Sequence, residues 1–279
     1  MRKLFFLICV SFFGYETSWS QQLSGDSWQV VKANKSGSLN CIYYRTPGLV
    51  YEANGKMDGV CIDIMDEFKK YLKTTYQVEL NYKFLKRVNN FSSFIDQVKT
   101  GKDIMGVCNT SITEDRKKYL SFSPAYMNNP SVLLSNNDTD KITDLSQMAA
   151  AFKNYKAVVI KGSTHEKYLM KIKKDYYPNL TVEMVNSGPE VVAKLKSTQN
   201  YFTLIDFTEY FDAVKNRLPL TRHNVDLDEL QDQLAFIFPK GSDWEAVWNE
   251  FLTDDFKTSM TYKKIIADNL GTSFVNLIR

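Results

Sequence analysis

The chain has 279 residues, of which 44% are hydrophobic, 14% aromatic and 24% charged, which is ample for a packed core and excludes the composition of a disordered protein. Its formal charge of +3 is small and its charges are spread along the whole length, which argues against a nucleic-acid or membrane-surface binder. Beyond the first twenty positions no run of eighteen apolar residues occurs, so no membrane-spanning helix is expected in the mature chain.

The N-terminus reads as a secretory signal. Arg2 and Lys3 supply the positive start, Leu4 to Gly14 a short apolar stretch, and Ser18 and Ser20 the small residues that a signal peptidase reads. Cleavage after Ser20 and an exported, periplasmic product are expected. Cys9 lies inside the apolar stretch with Phe6 three residues before it, a poor context for lipid attachment. The mature chain then holds Cys41, Cys61 and Cys108, an odd number, so at least one thiol is free. With no C-x-x-C pair, and only His165 and His223 to supply imidazole, neither a zinc or haem site nor any other cofactor is expected.

In chain order, Trp28 and Val31 predict a short helix ending near Gly37. Leu39, Cys41 and Tyr43 alternate as a first strand, which Arg45-Thr46-Pro47-Gly48 ends in a turn. A helix with Ile64, Met65, Phe68, Tyr71 and Leu72 on one face follows, then a strand through Leu80, Tyr82 and Phe84. Phe91, Phe94, Ile95 and Val98 form the face of the next helix, and Gly101 stands where its C-terminus would take left-handed backbone angles. Ile104 to Cys108 reads as a short buried strand. Past it, Asn109, Thr110, Ser111 and Thr113 place hydroxyls and free backbone N–H groups in a turn ahead of Arg116. That grouping outlines a carboxylate receptor, because a guanidinium offers two parallel donors and nearby hydroxyls and amides satisfy the remaining lone pairs.

From Ser131 the pattern begins again. Ser131 to Ser135 is a strand, Asp144-Leu145 starts a helix, and Ala157 to Ile160 is a second strand. Gly162-Ser163-Thr164 opens a helix through Tyr168 and Leu169, where free N–H groups favour an anion or simply an N-cap. Val191, Val192 and Leu195 give another helical face, and the strand Tyr201 to Ile205 ends at Asp206. An acid there points into the crevice of a parallel sheet, or else caps the helix from Phe207 to Val214. Leu234 to Pro239 is one more strand, followed by a helix with Trp244, Val247, Trp248, Phe251 and Leu252, and a last helix from Tyr262. The alternation implies two α/β units with parallel pairing and right-handed crossovers. The chain is expected to return to the first unit, because the closing helices have no sheet of their own.

The segment Ser111-Ile112-Thr113-Glu114-Asp115-Arg116, followed by Phe122-Ser123, resembles the S-x-x-x-x-R signature of the type 2 periplasmic solute-binding proteins for polar amino acids, shared with ionotropic glutamate receptor ligand cores. Asn54-Gly55 through Asp63-Ile64 resembles that family's entry to its first helix, and the order of marks agrees over residues 28 to 270. One departure is Phe122-Ser123-Pro124-Ala125-Tyr126, where the family usually reads F-S-x-P-Y. The resemblance implies an α/β, two-lobed (Venus-flytrap) fold of two mixed sheets flanked by helices and joined by a two-strand hinge. Lobe 1 is expected over 28–128 and again over 237–279, and lobe 2 over 129–236.

It further implies that Ser111 and Arg116, with Asn109 beside them, hold a ligand's carboxylate, that Ser163 and Thr164 face the ligand from lobe 2, and that Asp206 takes its ammonium. For Arg116 the competing reading is a pairing with an internal Asp or Glu. His165 is expected to be solvated or capping. Tyr44 or Arg45 would supply the first wall, and an Arg45 facing the cleft would favour an anionic side chain on the ligand. Cys41 and Cys108 fall in strands of one sheet in this fold, which makes a bridge conceivable beside the reading of three small buried thiols. The implied partner of this expected monomer is an inner-membrane ABC transporter that reads the closed form. Two rivals stand beside it. One is a periplasmic enzyme on the same scaffold, dehydrating a cyclohexadienyl precursor with Glu114, Asp115 or His165 as its acid or base. The other is a free-standing sensor, the chain leaving no room for a lysozyme-like domain before Arg279.

Overall fold

A computed structural model describes residues 23–137, 139–227 and 232–276. The expected signal segment lies outside them. The first sheet contains β1 (Ser36–Tyr43), β4 (Glu79–Arg87), β5 (Ile104–Ser111), β6 (Leu120–Phe122), β7 (Met127–Asn129) and β13 (Asp232–Pro239). Its order is β4-β1-β5-β13-β6, with β7 also on β13; β1 runs parallel to β4 and β5, and β13 antiparallel to its neighbours. The second sheet contains β8 (Ser131–Asn136), β9 (Lys156–Ile160), β10 (Val182–Val185), β11 (Tyr201–Asp206) and β12 (Leu220–His223) in the order β10-β9-β11-β8-β12. A hairpin of β2 (Tyr51–Ala53) and β3 (Lys56–Asp58) stands apart. The two sheets are mixed, as the resemblance implies.

The chain leaves the first sheet through β7 and Pro130 and returns through β13, whose Asp232, Gln233 and Leu234 pair with Asn129, Asn128 and Met127. These two adjacent strands are the hinge. The departure at Pro124 does not interrupt them. Ser123 N–H donates to the Phe236 carbonyl at 3.0 Å, the Ser123 hydroxyl accepts from Phe236 N–H at 3.1 Å, and Tyr126 N–H donates to the Leu234 carbonyl at 2.8 Å. The segment therefore stays laced to β13 on both sides of the proline.

Each sheet is covered by helices whose apolar stripes match their burial. α2 (Val60–Tyr76) buries Ile64, Met65, Phe68 and Leu72, and Phe68 stacks on Trp248 of α9 (Trp244–Phe251) with centroids 4.0 Å apart. α3 (Phe91–Thr100) buries Phe91, Phe94, Ile95 and Val98 on the opposite face of the first sheet. Because both faces of β1 are covered, its side chains alternate between two cores: Leu39, Cys41 and Tyr43 join one, Ile42 and then Tyr44 the other. The same alternation separates the cysteines. Cys41 faces the first core and Cys108 the second, so no bridge forms; Cys41, Cys61 and Cys108 are all free and buried, and burial pushes the Cys61 thiol up to about 12.

Three local expectations need correction. The first helix, α1 (Trp28–Asn34), stops before Gly37, because Lys35 takes the left-handed conformation at φ 56° and Gly37 already belongs to β1. Gly101 ends α3 at φ −72° and ψ 173°, which is extended backbone. Its lack of a side chain serves packing instead: a Cβ there would lie 2.4 Å from the Ile104 side chain. Finally, β5 runs on through Asn109, Thr110 and Ser111, which the sequence suggested for a turn, since Thr110 and Ser111 pair with Ala235 and Leu234. No described helix is long and apolar enough to cross a membrane.

Candidate ligand-binding cleft

The end of β5 and the single turn α4 (Glu114–Lys117) set the first wall. Thr113 caps that turn, its hydroxyl accepting from Arg116 N–H at 3.2 Å, which turns the Arg116 side chain back over the strand end. Arg116 is buried, its guanidinium 5.4 Å from the Phe91 ring centroid. It donates to the Ser111 carbonyl at 2.9 Å and, across to the second sheet, to the Gly162 carbonyl at 3.0 Å. Burial lowers its pKa, partly countered by Tyr119 and Asp232. Asn109 presents its amide N–H2 to Asp206, while its carbonyl accepts from Thr46 at 3.0 Å and from the Cys108 thiol at 2.9 Å.

The second wall comes from the start of α6 (Thr164–Asp175) and the end of β11. Ser163 caps α6, accepting from Glu166 N–H at 3.2 Å, and Thr164 turns into the cleft. Asp206 occupies the N-cap position of α8 (Phe207–Lys215), yet its side chain makes no capping bond. Its carboxylate accepts from the Asn109 and Asn129 amides instead, with His165 Nε2 at 3.8 Å. Burial pushes the Asp206 acid up, and His165 and the two amides pull against that rise.

The walls meet. Besides the Arg116 bridge, Gly188 N–H at the head of α7 (Gly188–Leu195) donates to the Tyr44 hydroxyl at 3.1 Å, and Phe91 N–H donates to the Asn186 carbonyl at 3.1 Å. Asp232, on the returning hinge strand, accepts from Ser111 at 2.8 Å and from Thr164 at 2.5 Å, so one carboxylate joins hydroxyls of both lobes. The space left among these groups is about 20 Å3, little more than one water needs. A roomier groove of about 550 Å3 lies between Tyr126, Met127, Gln233 and Tyr262, and contains none of the candidate residues.

Tyr44, Asn109, Ser111, Arg116, Ser163, Thr164 and Asp206 therefore line one cleft, together with Phe91, Ile160, His165 and Glu209. Arg45 does not join them; it lies in an adjoining groove with Pro47, Thr208 and Asp212. His165 is the reverse case. Expected in solvent or at a cap, it is 5% exposed and bonds Ser131 through Nε2 at 2.9 Å. Glu114 and Asp115, the other acids considered for catalysis, are exposed on the outside and paired with lysines. Asp232 and Glu209 were not singled out in sequence. Glu209 had one signal, its place three residues past Asp206 on the same helical face. Asp232 had none.

Residues 40–272 match the family of bacterial extracellular solute-binding proteins, family 3. The chain belongs to this family. Its fold is shared with an ancestral arginine-binding protein bound to arginine, at TM-score 0.67 and 23% identity over 84% of this chain and 98% of that one. A substrate-binding protein of an amino acid ABC transporter is similar at TM-score 0.67 and 22% identity, over 84% and 99%. The amino acid ABC transporter substrate-binding protein AbpA from Streptococcus pneumoniae, bound to L-arginine, is similar at TM-score 0.65 and 20% identity, over 88% and 98%. At these identities the likeness establishes the type II periplasmic binding fold. No curated protein is close enough in sequence to match.

Proposed function

We propose that this family 3 protein captures a small zwitterion, a polar amino acid, between its lobes and presents the closed form to an inner-membrane ABC-type transporter. Lobe 1 is then residues 28–128 with the return over 237–279, and lobe 2 residues 129–236, with the hinge strands β7 and β13 at the crossings. The observation that carries the reading is the meeting, in one buried cleft, of Ser111 and Arg116 from the first sheet with Thr164 and Asp206 from the second. A cation and an anion stand on opposite walls, as an α-carboxylate and an α-ammonium require. Closure is a population shift: groups that now satisfy one another across the cleft exchange those partners for the ligand's. Export after cleavage near Ser20, a monomeric state and a binding rather than a catalytic role belong to the same proposal.

The test is a melting panel over the common amino acids. One that binds only the folded protein should add about 2.7 kcal/mol of stability at a hundred times its dissociation constant. Glu209 favours a second reading: it is a buried acid in the cleft whose pKa burial raises to about 8, the kind of group a dehydrating enzyme needs. No melting shift anywhere in the panel, with turnover of a cyclohexadienyl acid, would select that reading.

A further inference from the structure

Every charged group in the cleft but one is bonded. Arg116 donates to two carbonyls, Asp206 accepts from two amides and Asp232 from two hydroxyls. Glu209, in the first turn of α8, is 4% exposed and lines the cleft, and its carboxyl makes no hydrogen bond or ion pair among the described residues. Its carboxyl lies against Gly188, where a Cβ would come within 2.5 Å of Oε1, and Tyr44 closes the wall beside that glycine through the Gly188 N–H bond. The site is thus shaped around a carboxyl that has nothing to hold. A buried carboxylate without a partner is costly, and a cation delivered into the cleft removes that cost.

The charge count points the same way. An amino acid's carboxylate and ammonium would be matched by Arg116 and Asp206, and the two hydroxyls already satisfy Asp232. Glu209 is the acid left over. We propose that Glu209 receives a second positive charge, on the ligand's side chain, so that the captured solute is a cationic amino acid ending in an ammonium or guanidinium group. This rests on the amino-acid capture reading above.

The groups around Glu209 set how it responds. Burial and then the Asp206 charge raise its acid to about 8, Arg45 lowers it from the adjoining groove, and Asp212 raises it; Tyr44 and His165 complete the cleft wall. At neutral pH the carboxyl therefore holds its proton until a cation arrives. The ligand's positive charge then favours the carboxylate and the proton leaves to the buffer, so cation binding releases a proton and neutral-ligand binding does not.

Titration calorimetry at pH 7, in two buffers of different ionisation enthalpy, tests this with arginine against citrulline and lysine against norleucine. On the native protein each cation should bind about 30-fold tighter than its neutral isostere, the gain expected of one charge-assisted bond, and release close to one proton. Glu209→Gln should bring that preference below about threefold and abolish the release. Citrulline binding the native protein as tightly as arginine, or Glu209→Gln keeping the preference, would overturn the assignment while leaving amino-acid capture intact. Should the variant fail to melt cooperatively, the native preference and proton release decide alone. Binding of none of the four ligands would remove the capture reading and this inference together.

Discussion

Arg116→Ala is expected to weaken amino-acid binding by roughly two to three and a half decades, because a carboxylate brought into the closed cleft would lose the partner that offsets its desolvation, a cost of about 3 to 5 kcal/mol. Arg116 is buried and already oriented by the Thr113 cap and the Phe91 ring, so the ligand need not order it. The free protein should still unfold cooperatively, since the bonds lost, to the Ser111 and Gly162 carbonyls, end at an opening cleft rather than in either core. Arg116→Lys should restore only part of the affinity, because an ammonium keeps the charge but not the planar pair of donors. Calorimetry on the two variants decides it. Near-native affinity in Arg116→Ala, with a normal melting temperature, would make the residue a lobe-bridging strut and no more.

The second large effect is expected at the opposite wall. Asp206→Ala should cost binding a similar two to three and a half decades, by stranding an ammonium in a cleft from which water is nearly excluded. Asp206 is free for that role because its carboxylate spends nothing on capping α8. The two amides that now hold it, from Asn109 and Asn129, are neutral donors that an ammonium can displace at one lone pair without removing the other. The variant should bind a deaminated analogue about as well as the amino acid itself. Full retention of the native preference for the amine would assign Asp206 to hinge geometry, where the Asn129 amide reaches it from β7.

How far the cleft could be read in sequence follows from the distance over which its parts are connected. Ser111 and Arg116 were legible because five residues of strand end and capped turn fix them relative to each other locally. Asp206 was legible because a strand end in an open α/β sheet has only one crevice to face. The choice between Tyr44 and Arg45 was not. Neighbours on an extended chain point to opposite sides, and β1 buries both its faces, so hydrophobicity could not say which side leads to the cleft. Asp232 reaches Ser111 and Thr164 only through the pairing of β13 with β5 and the approach of the second lobe. Nothing within ten residues of it signals that contact. His165 was misjudged for the same reason: its partner Ser131 and its neighbour Asp206 lie on β8 and β11, adjacent strands joined by the register Ser131 to Asp206. The fold, carried by helix stripes and strand spacing, survived errors that moved single residues across a wall.

In the proposed binding mode the two charges of an amino acid are divided between the lobes. The measurement that tests it most directly is calorimetry on the native protein with its tightest amino acid, that acid's α-amide and its deaminated analogue. Both analogues should bind at least about a hundredfold more weakly, each having left one buried charge of the cleft unanswered. Equal binding of all three would contradict that division.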